Sequence, residues 1–138
     1  MKYLLMVLGK QADYDAMAGK GSEGSPAWTE QQRKAMFDHM GSLNDDLAES
    51  GEWVDGQGLA EPRQARFVTA AADGTPVVSD GPYGEAKEVL AGYWIVDVPN
   101  FERAAEIAAR AHACPAPEGA PNHPVVVHPV DQGPGTEM

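Results

Sequence analysis

The order of segments predicts an α+β fold, with one antiparallel sheet, two helices on a single face and a small inserted hairpin. Three observations carry that expectation. Runs rich in apolar, aromatic and β-branched residues recur at 3–8, 53–60, 93–98 and 125–130. Two stretches of helical periodicity fall between the first and second of these runs and between the third and fourth. Asp73-Gly74 sits between two short β-like runs, as the turn of a hairpin does. Setting the hairpin aside leaves βαββαβ, the ferredoxin-like arrangement.

Each element has its own justification. Residues 3–8 form a continuous apolar run, the pattern of a strand buried on both faces. Residues 9–26 are polar and glycine-rich (Gly19, Gly21, Gly24) and read as a long mobile loop. Thr29 and Gln32 have capping-box spacing, with Glu30 in the first turn, so a helix starts there. Met36, Met40, Leu43 and Leu47 form its apolar stripe, Asp38, Asp45 and Glu49 its wet side, and Gly51 its stop. Gly56 and Gly58 interrupt the second strand, where a bulge or a close backbone approach is expected. The hairpin pairs 67–71 with 76–79. Asn100 suits the cap of a second helix, whose inward face is predicted as Phe101, Ala104, Ala105, Ala108 and His112. One domain over 1–130 and a polar tail over 131–138 are expected. Two helices cover only one face of such a sheet. The other face needs a partner, and pairing with a second copy is the simplest solution, a dimeric α/β barrel.

The net charge of −11 sets nucleic acid and anionic membranes aside, because such binding draws on clustered Lys and Arg and the only adjacent basic pair is Arg33-Lys34. Cys114 is the only cysteine, so no internal disulfide forms, which suits a reducing cytoplasm. Residues 1–8 imitate a signal peptide, but the run stops at Gly9-Lys10, and a strand fits better. No run approaches the ~20 apolar residues of a membrane span. A cytoplasmic protein is expected.

The stretch Ser79-Asp80-Gly81-Pro82-Tyr83-Gly84-Glu85-Ala86-Lys87-Glu88 resembles the signature of DGPF-type members of the YCII-related family. Leu90-Ala91-Gly92-Tyr93-Trp94, the opening Met1-Lys2-Tyr3, the helix ending Leu47-Ala48-Glu49-Ser50-Gly51 and the closing His128-Pro129-Val130 are similar to it as well. The resemblance covers most of 1–130, and 79–94 is its most specific part. It implies a dimeric ferredoxin-like α/β barrel. Two positions depart from the pattern: Tyr83 stands where Phe is usual, and His128 where Arg often precedes Pro.

Candidate chemistry centres on Asp80 and His39. Asp80 opens a Gly-Pro turn, and the residue two on, Pro82, has no N–H for its carboxylate to hold. It is either a turn-fixing acid or a functional one. His39 lies beside Met36 and Leu43 at the edge of the helical stripe, where a histidine usually packs half-buried. The resemblance implies another role, since some family members are suggested to use a His–Asp pair, with the His on the first helix, as acid–base catalyst. Tyr83, Lys87 and Tyr93 are the candidate ligand contacts. Lys87 with Glu88 either orients the loop, meets an anionic ligand or forms a solvated pair. Tyr93 and Trp94 alternate across their strand, so one faces the helices and the other a dimer interface or cleft. His112 reads as a packed residue near a helix end. His123 and His128 lack ligand spacing, so no metal site is expected, and no P-loop, GxGxxG or GxSxG supports a cofactor. Two functions of different class fit. One is a cofactor-free acid–base enzyme acting on a small molecule in a cleft containing Asp80. The other is a non-catalytic binding or regulatory module, linked through the resemblance to alternative sigma factors and transcription initiation.

Overall fold

A computed structural model describes residues 1–79 and 87–132. Its elements in chain order are β1 (Lys2–Gly9), α1 (Gln11–Met17), α2 (Glu30–Ser50), β2 (Trp53–Gly58), β3 (Phe67–Ala70), β4 (Pro76–Ser79), β5 (Val89–Asp97), α3 (Phe101–His112) and β6 (Val126–Pro129). A four-stranded antiparallel sheet has the order β2-β5-β1-β6, and β3 and β4 pair apart from it. Without the hairpin and α1 this is the ferredoxin-like order, as the sequence predicts. Val130 N–H donates to the Lys2 carbonyl at 2.9 Å, which carries the last pairing just past β6.

The core lies between one sheet face and the two long helices. Tyr3 and Leu5 of β1 and Trp94 and Val96 of β5 pack against Leu43 and Leu47 of α2 and Ala104, Ile107, Ala108 and Ala111 of α3. The stripe expected on α2 is the one observed, with Leu43 and Leu47 innermost. On α3 the buried face is rotated from the expected one. Ile107 and Ala111 take the inward positions, whereas Phe101 is half exposed and meets Tyr3 edge-on at 6.4 Å. The run of 3–8 is likewise covered on one face only: Leu4, Met6 and Ile95 alternate with the core residues and stay half-buried on the open face.

Local chemistry explains the ends of these elements. Thr29 and Gln32 exchange side-chain-to-backbone bonds of 3.1 and 2.8 Å, a full capping box. Gly51 closes α2 at φ 80°, a left-handed conformation that costs any residue with a Cβ. Asn100 accepts from Arg103 N–H at 2.9 Å and starts α3. In β2 the ladder shifts register between Trp53 and Asp55, and a Cβ at Gly56 would come 2.5 Å from the Trp53 ring. The bulge and the close approach are both present.

Residues 9–26 hold the main surprise, the helix α1. Seven residues are too few to be stable alone, and tertiary bonds hold them. Gln11 is buried, takes Arg63 N–H on its carbonyl oxygen at 2.9 Å and donates to Asp15 at 3.0 Å. Among the described residues no helix is long and apolar enough to cross a membrane.

Candidate functional site

A cavity of about 560 Å³ lies between the helix-facing side of the sheet, α1, α2 and the segment that follows α3. Met17, Trp28, Met36, Met40, Trp53 and Trp94 make much of its apolar wall. Trp94 is fixed there because its indole N–H donates to Asn44 Oδ1 of α2 at 2.7 Å.

Polar groups converge at one wall. His123 presents Nδ1 to Glu88 Oε1 at 2.6 Å and Nε2 to Asp13 Oδ2 at 3.3 Å, with its side chain only 15% exposed. Each of the three is held by a different element. Asp13 is the third residue of α1, and its Oδ2 also accepts Lys10 N–H at 2.8 Å, which caps the helix and fixes the carboxylate. Glu88 immediately precedes β5. His123 lies between Pro121 and Pro124, and Asn122 anchors that segment by donating to the His112 carbonyl at 3.3 Å.

An ionised carboxylate only accepts hydrogen bonds, so the ring satisfies both neighbours when both its nitrogens carry protons. The shorter contact, from Glu88, orients the imidazole. The longer one leaves Nε2 and Asp13 as a pair between which a proton can pass, at the wall of the cavity. Asp13 and His123 both belong to the lining.

Tyr14 sits beside this group on α1. Its hydroxyl, with one proton, points at two carbonyls, Leu59 at 2.9 Å and Ala91 at 3.2 Å. Burial, with Asp13 next to it, raises the pKa of the phenol above the ordinary tyrosine value, so it stays a donor. Gly9 keeps room for this corner, since a methyl there would lie 3.3 Å from the Ala91 side chain and 3.7 Å from Asp13 Oδ2. Cys114 also lines the cavity, and burial pushes its thiol up. Among the described lining residues none is Lys or Arg. Among the described residues no group of three or more His, Cys, Asp or Glu could hold a metal ion.

A family model, the YCII-related domain, matches residues 1–123. The chain belongs to the YCII-related family. A search of curated proteins finds no match. The matched span of this YCII-related protein takes in Asp13, Glu88 and, as its last residue, His123.

The residues singled out in the sequence are dispersed. Asp80 and Tyr83 lie outside the described residues. Lys87 is exposed and outside the cavity lining, next to Glu88 in the chain. Tyr93 borders the cavity, and its hydroxyl donates to Asp55 Oδ2 of β2 at 2.9 Å. His39 has Nε2 2.8 Å from the Arg110 carbonyl and links α2 to α3 away from the lining. The cluster that the structure assembles was visible in the sequence only in part. Lys10 to Asp13 has the spacing of a helix cap, but Glu88 and His123 carry no local pattern that points to each other.

Proposed function

We propose that this YCII-related protein binds a small, largely apolar molecule in the cavity and performs acid–base chemistry on it with His123 and Asp13. The observation that carries the proposal is an imidazole held between two carboxylates at the wall of a cavity of about 560 Å³, a size suited to a metabolite. Glu88 is the positioning residue, which fixes ring orientation through Nδ1. Nε2 and Asp13 take or give the proton, and the apolar wall excludes water and strengthens the exchange. No cofactor is required for a proton transfer of this kind.

The test is a thermal-shift screen of small metabolites against the native protein and His123→Asn, followed by turnover assays on the hits. Hits are expected to stabilise both proteins, with turnover by the native protein alone. Equal turnover by both would remove His123 from the chemistry, and the absence of any hit would remove the ligand site.

A second reading, a regulatory module that contacts a sigma factor, is favoured by the hairpin. Phe67, Val68, Val77 and Val78 are all 46% exposed or more, an apolar surface that a protein partner can cover. A pull-down in which the hairpin variant Val68→Lys keeps its full set of partners would count against it. The open sheet face supports a homodimer, and the lone cysteine suits the cytoplasm, where we place the protein.

A further inference from the structure

If the cavity is a ligand site as proposed above, its chemistry restricts what enters. We infer that its ligand is an apolar amine or similar organic cation, with an aromatic or aliphatic body, and not an anionic metabolite. Charge is the first ground. Asp13 and His123 stand in the polar wall, Glu88 holds His123 from outside the lining, and His112 borders the cavity as well. With both acids ionised the group of Asp13, Glu88 and His123 carries −1 when His123 is protonated and −2 when it is neutral, so it is negative either way. No Lys or Arg among the described lining residues offsets it.

The second ground is the rest of the wall. Trp28, Trp53 and Trp94, with Phe37, give aromatic surface, and aromatic faces attract cations through their quadrupole. Met17, Met36 and Met40 supply a polarizable, adaptable lining for the ligand body. An anion entering here would meet like charge and, among the described lining residues, no Lys or Arg to pair with, whereas a primary ammonium has three N–H donors for the carboxylate oxygens. The third ground is the approach. A molecule with a net charge of −11 draws cations toward its surface and repels anions.

Three probes with one body and different heads test this: phenethylamine, phenethyl alcohol and phenylacetate. Their dissociation constants are measured by calorimetry on the whole protein. In parallel, protection of Cys114 from iodoacetamide is followed, because this single cysteine lies in the wall and reports occupancy without any assumption about turnover. The amine is expected to bind about tenfold or more tighter than the alcohol, a difference of one power of ten in Kd, with the acid weakest. All binders should slow alkylation. Asp13→Asn and Glu88→Gln should each reduce the advantage of the amine while leaving the alcohol nearly unchanged. The alcohol therefore also shows that each variant keeps its cavity.

Two failures are distinct. If phenylacetate binds as tightly as the amine, or tighter, and protects Cys114, the charge class is wrong and the cavity still binds ligand. If none of the probes binds or protects Cys114, the ligand-site reading falls and this inference falls with it.

Discussion

Tyr14 shows how much one side chain settles in this protein. Its ring packs in the corner left open by Gly9, its hydroxyl reaches the carbonyls of Leu59 and Ala91, and its backbone follows Asp13 in the turn that aims the carboxylate at His123. A single phenol thus joins α1 to the end of β2 and the start of β5. Tyr14→Phe removes the donor that the two carbonyls share, while Ala91 keeps the Leu59 N–H at 2.8 Å. We expect it to cost about 1–2 kcal/mol in urea unfolding, the net worth of a partly buried hydrogen bond. A variant as stable as the native protein would mean that water replaces the hydroxyl. At this scale the sequence said little. Asp13 and Tyr14 lie 74 or more residues from Glu88 and His123 in the chain, and only the folded chain brings them together. His39 was visible because it borders a helical stripe, and that position turned out to serve the contact between α2 and α3.

Elements were far more legible, because their signals are local. The capping box at Thr29, the Gly51 stop, the Asn100 cap and the Asp73-Gly74 turn are each written within a few residues, and each forms. The helix α1 was missed because its stability comes from Gln11 and Tyr14 reaching distant backbone, which no short window contains. On α3 the core position expected of Phe101 belongs to Ile107, and Phe101 stays half exposed. A second long-range tie, also unannounced in the sequence, gives a pH prediction. Arg103 of α3 grips Glu52, just after α2, with bonds of 2.7 and 2.8 Å, and holds its carboxyl at about 2, well below the ordinary 4.5. The folded-state value is depressed. The stabilisation is therefore complete above about 4.5 and is lost as pH falls toward about 2. With Arg103 partly exposed and screened by solvent, the contribution is about 1–2 kcal/mol. Glu52→Gln should then destabilise the protein at pH 7 by that amount, with the gap shrinking as pH falls and closing only below about 2. A gap that stays constant across this range in denaturant titrations would contradict the assignment.

At the scale of the molecule, the ferredoxin-like order followed from alternating strands and helices, and the structure has it. The same topology leaves Leu4, Met6, Ile95 and Val126 on a face that no helix covers among the described residues. We expect a second copy to cover it, with added salt tightening the pair by screening the charge of −11. The cavity, by contrast, has no local signature, since its walls come from stretches spread between Val7 and Val125. Methionine reports on both features at once. Met17, Met36 and Met40 line the cavity, and Met6 lies on the open face. In a methyl-labelled sample, dilution at low salt should move the Met6 signal alone. Titration with phenethylamine should move those of Met17, Met36 and Met40 and leave Met6 in place. That titration tests the central claim most directly. Saturable shifts confined to the three cavity methionines are the predicted result; an unchanged spectrum, or shifts at Met6 without them, would contradict the account.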